Sequence, residues 1–169
     1  MKNKFLEYFF TISNIIFFIG IVVSSILIIQ DAKKIILEQP NGYVINPLFF
    51  LPYVICLFIS IILLIIFMFH KQNYFKLIKI HVKHTWIYLH YLSCLVILLN
   101  FIFASLMFIF APSLTANIIK SYYLYILIAV VILFSLISTG LNSYSKIRIK
   151  IELAIRRSQG KQENVEDKK

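Results

Sequence analysis

Hydrophobic residues in this chain are gathered in long uninterrupted blocks. They do not recur at the 3.6 or 2.0 spacing of an amphipathic helix or a half-buried strand. Four blocks, approximately 8–30, 47–69, 86–111 and 121–144, contain no Asp, Glu, Lys or Arg. Each is long enough to cross a hydrocarbon layer about 30 Å thick, which takes roughly 20 residues of helix. Unpaired backbone groups are too costly in lipid for any open structure, so helices are expected. A barrel would need alternating segments of about ten residues, and these blocks do not alternate. The pattern predicts an all-α, four-helix transmembrane bundle built from two antiparallel hairpins within one domain, 1–157. The last residues, 158–169, are polar and are expected to form a disordered tail.

The first block does not read as a cleaved signal peptide. Met1-Lys2-Asn3-Lys4 is basic, but the apolar stretch after it exceeds an h-region and ends in no small-x-small site. The first connection, 31–46, holds the turn signal Pro40-Asn41-Gly42. Pro47 and Pro52 sit where helix 2 opens and Pro112 where helix 3 ends.

Composition strengthens this picture: 60% of the 169 residues are hydrophobic and the mean hydropathy is +0.87. The net charge of +10 could suggest nucleic acid, but its distribution speaks for topology. Fourteen of the 17 Lys and Arg fall at the N-terminus, between helices 2 and 3, and after helix 4; three fall in the other two connections. The positive-inside rule predicts both termini and the 70–85 connection in the cytoplasm, with a basic cytoplasmic tail. Tyr74, Trp86, Tyr88 and Tyr144 fall near the inner boundary, and Tyr43, Tyr53, Tyr122, Tyr123 and Tyr125 near the outer one, the levels that amphipathic rings favour. The bias toward Ile, Lys, Asn and Phe points to an AT-rich genome, so a bacterial plasma membrane is expected, with an organellar inner membrane as the alternative.

Two basic stretches flank the helices, 76–84 and 146–153. The second alternates charged and apolar residues, so local pattern allows a strand, and the two could pair. Continuation of the adjoining helices is the stronger expectation. Lys76, Lys79, Lys83, Lys146, Arg148, Lys150, Arg156 and Arg157 should attract anionic headgroups, at about 1 kcal/mol each; fixing topology is an equally sufficient role.

Candidate chemistry is sparse. No carboxylate lies between Glu38 and Glu152. Intramembrane hydrolases, phospho-alcohol transferases and proton-coupled carriers place Asp or Glu at depth, so these classes are disfavoured. Glu7 stands at the mouth of helix 1, where water can reach it. His70, His81, His84 and His90 cluster near one end of helices 2 and 3, and His70, His84 and His90 could be drawn as haem ligands. Interfacial histidines without other donors more often serve no metal, and neither cofactor nor metal is expected. Cys94 and His90 lie four apart, but nothing visible orients the base, so no catalytic residue is assigned. Cys56 and Cys94 differ in depth by about 12 Å on a 1.5 Å rise, beyond disulfide reach.

Asn14 and Asn100 are expected at helix interfaces, where buried Asn and Ser bond across helices. Gly20 and Ser24 form a small-xxx-small pair. No inverted repeat or mid-helix Gly/Pro break marks a carrier. The expected function is therefore non-catalytic: helix packing with a membrane protein partner, as an accessory subunit of a complex or an immunity-type protein, or with a second copy. An oligomeric pathway for a small solute or ion, lined by Asn14, Asn100 and serines, is one alternative; a haem-binding subunit is another. No nucleic acid partner is expected.

Overall fold

The computed structural model describes residues 5–38, 46–78, 82–110 and 119–166. The chain is all-helical there. A 3₁₀ turn (Phe5–Tyr8) leads into α1 (Phe9–Glu38), and a second (Pro47–Phe50) into α2 (Leu51–Ile78); α3 (His84–Phe110) and α4 (Ile119–Glu166) follow. Four helical stretches, Phe5–Asp31, Pro47–Ile78, His84–Phe108 and Leu124–Gln159, are long and apolar enough to span a membrane, which marks an integral membrane protein.

The turn before α2 shows its local logic. Asn46 stands outside the helix in an extended conformation, and its side-chain oxygen accepts from Leu48 N at 3.0 Å. Pro47 follows at a position where its missing N–H costs nothing.

The helices outrun the apolar blocks. α2 continues to Ile78 and α4 passes through the basic stretch 146–153. The strand pairing that alternation allows is thus not formed: 76–78 belong to α2, 146–153 to α4, and Lys79 and His81 lie outside the described residues. Helix continuation satisfies each backbone group within the segment, whereas a strand leaving the membrane would need a partner at once. α4 is described as far as Glu166. Arg, Gln, Lys and Glu are good helix formers, so polarity alone does not stop a helix there.

α1 packs mainly along α2, and α3 along α4. All four contribute to one core: Phe10, Phe17 and Ile21; Tyr53, Leu64 and Phe67; Ile97, Phe101 and Phe108; Leu127 and Val131. The rings of Phe17 and Phe101 lie 4.3 Å apart between centroids. α1 and α2 approach closely at Gly20, where an added Cβ would lie 2.5 Å from Cys56 Cβ and 3.3 Å from the Pro52 carbonyl oxygen. Here the Gly20 position of the small-xxx-small pair is used. Both cysteines are free thiols, as their depths require.

A second, smaller cluster lies at the end where α2 gives way to α3. Phe75, Val82, Ile87 and Ile149 are buried together, with Ile78, Trp86, Tyr91 and Leu153 against them. It seats the charged part of α4 on the rest of the bundle.

Candidate functional site

Several interior polar groups bond between helices, while others bond to carbonyls of their own helix. Ser13 Oγ donates to the Ser60 carbonyl at 2.8 Å, and Ser60 Oγ donates to the Ser13 carbonyl at 2.9 Å. This reciprocal pair clasps α1 to α2. Farther along the same contact, Tyr53 N donates to Ser24 Oγ at 3.0 Å. Tyr53 is in the first turn of α2, where amides lack intrahelical partners, and Ser24 supplies one. The Tyr53 hydroxyl meets Ser105 Oγ at 2.6 Å, while Ser105 Oγ donates to the Phe101 carbonyl. The Ser105 proton is thus committed, so Tyr53 is the donor.

Asn100 is fully buried and crosses to α4, its amide nitrogen 3.3 Å from both the Val131 carbonyl and Ser135 Oγ. It joins α3 to α4. Asn14 does so less: its amide nitrogen reaches 3.4 Å to the Phe10 carbonyl, one turn back in its own helix. Both asparagines face the interior of the protomer rather than its outer surface.

The most concentrated charge in the bundle lies at the end carrying the start of α1 and the far part of α4. Glu7 accepts ion pairs from Lys146 at 2.6 Å and from Lys71 at 3.5 Å. Lys71 is only 6% exposed, and its ammonium also lies over the rings of Phe67 and Tyr74, 5.8 and 5.4 Å from their centroids. Burying an ammonium is expensive unless it is paired, and here a carboxylate and two ring faces compensate it. Sequence reasoning left Glu7 in water and Lys71 among topology lysines. The available signal was that Glu7 is the only acid before Asp31 and shares its level with several bases.

His90 lies beside this junction. It is buried, and its ring packs between Phe67 and Phe75, 5.3 and 5.0 Å away. Its Nε2 has no protein hydrogen-bond partner. A void of ≈ 30 Å³ bounded by Glu7, Lys71, Tyr74, Phe75, His90, Lys146, Ile149 and Lys150 adjoins it. That is room for about one or two waters, not for an organic substrate. His70 is half-exposed and His84 exposed, and among the described residues no three His, Cys, Asp or Glu gather in a metal-holding group.

The other basic candidates are divided in use. Arg148 donates from Nε to the Tyr144 hydroxyl at 3.0 Å and lies over the rings of Trp86 and Tyr144. Glu152 accepts the Lys83 backbone N–H on both carboxylate oxygens at 3.1 Å, and Arg156 lies 3.8 Å from it. Lys76, Lys150 and Arg157 are exposed. Lys79 lies outside the described residues.

On the outer surface, two apolar depressions of ≈ 650 and ≈ 610 Å³ lie along α2 and α3 and share Met68 and Tyr91. Their linings are mostly apolar. Compared with family models, with curated proteins and with solved structures, the chain matches none.

Proposed function

We propose that this chain is a non-catalytic membrane protein that works by packing its helices against a protein partner, as an accessory subunit of a membrane complex or an immunity-type protein. One observation carries the reading. Ser13, Ser24, Ser60 and Asn100 bond across to neighbouring helices, while the outward faces are broad and apolar, with Phe58, Phe69 and Leu136 all about two-thirds exposed. Such faces contact lipid or another helix, and they are the surface available for recognition. Asn14 and Asn100, the residues a solute pathway would use, face inward and bond within the bundle, which gives the pathway reading less support.

The basic excess at the Glu7 end supports a cytoplasmic side for it, and the membrane is read as a bacterial plasma membrane. The helices are read as two antiparallel hairpins, α1–α2 and α3–α4. Lys76 would meet anionic headgroups at the inner surface.

Extraction of the chain from its native membrane in mild detergent, followed by native mass spectrometry, tests the proposal. A stoichiometric complex with another membrane protein is expected. A monodisperse protomer carrying only lipid would overturn it.

A further inference from the structure

The 48 residues of α4 span about 72 Å at 1.5 Å per residue, more than twice the hydrocarbon thickness. α4 therefore leaves the membrane, and its face past Tyr144 meets water. Along that helix Leu133, Ile137, Gly140, Tyr144, Ile147 and Ile151 recur at spacings of four and three. All six are exposed, the side-chain-bearing ones about half so. They make one stripe on one face, the seam of a two-helix contact. Ile155 extends it.

Three features of this stripe point to a helix as its occupant. It keeps the same face from the apolar to the charged part of α4, so only something that also crosses the boundary covers all of it. Gly140 has no atom within 4 Å of where a Cβ would stand, leaving a notch at mid-seam. Past Tyr144, lipid no longer covers the isoleucines, although Ile149 and Leu153 on the other side are packed against the bundle.

The charges select the partner. Lys150 and Arg157 border the seam and are exposed. Arg148 borders the other side, held by Trp86 and Tyr144. The nearest carboxylate, Glu152, is turned away to Lys83 and Arg156. A second copy lying parallel would set the same basic residues beside them, with its own Glu152 likewise turned away.

We infer that α4 docks a partner helix that runs beside it out of the membrane, with an apolar seam and Asp or Glu along its edge. This rests on the proposed packing function and names its surface. The test places the photoreactive residue p-benzoylphenylalanine in the full chain in its native membrane, at Ile151 in one variant and at Phe58 on α2 in another, and sequences the adducts. The expected Ile151 adduct is a membrane protein crosslinked just outside its span, at an apolar position flanked by acids. The added change Lys150→Glu with Arg157→Glu should lower its yield about tenfold. An Ile151 adduct with a second copy, with lipid alone, or with a partner segment lacking acids overturns the inference. So does a yield that charge reversal leaves unchanged. An adduct at Phe58 but none at Ile151 overturns it while leaving the packing function standing; no protein adduct at either position removes both.

Discussion

Lys146, on the charged part of α4, places its ammonium 2.6 Å from the carboxylate of Glu7, at the mouth of α1. The same carboxylate reaches the buried Lys71 of α2. One acid therefore ties three helices together at one end of the bundle.

Removing that acid strands a buried ammonium. Glu7→Gln is expected to destabilise the protein by about 1–3 kcal/mol, less than for a wholly buried pair because the carboxylate is partly exposed. Adding Lys71→Met to Glu7→Gln should recover most of the loss. Unfolding midpoints in mixed micelles check both; equal stability of Glu7→Gln and the native chain would contradict the compensation.

Gly20 and Gly140 should respond oppositely to alanine. Gly20→Ala forces a methyl against Cys56 Cβ, which cannot rotate away, and α1 and α2 must part, at about 1–3 kcal/mol. Gly140→Ala meets open space and gains helix propensity, at up to about 1 kcal/mol. The two unfolding curves, compared with the native one, decide.

The reciprocal serine pair should show coupling. A double-mutant cycle on Ser13→Ala and Ser60→Ala is expected to give about 0.6 kcal/mol and stay below about 2. Additive losses would mean that the two hydroxyls do not act across the α1–α2 contact as one clasp.

Glu152 holds the start of α3 through the Lys83 amide. In Glu152→Ala that amide should exchange with deuterium about fivefold faster, for a loss of about 1 kcal/mol of hydrogen bonding. Amides in the middle of α3, such as Ile97, should be unchanged.

The amino-acid sequence by itself determined that there are four apolar helices of spanning length, since block length and the absence of charge settle that without tertiary information. It also determined that the two thiols stay unpaired, because depth along a helix follows from residue count. Tertiary structure decided what local pattern left open. The alternating stretch 146–153 became helix because Ile149 and Leu153 found Phe75, Val82 and Ile87 to pack on. Asn14 bonds back to Phe10, one turn earlier in its own helix. Lys71 became the buried partner of Glu7, a pairing between residues far apart in the chain that composition cannot register. Charge counts weigh a lysine the same in water and in a core; only the surrounding helices set the desolvation cost that makes one carboxylate necessary.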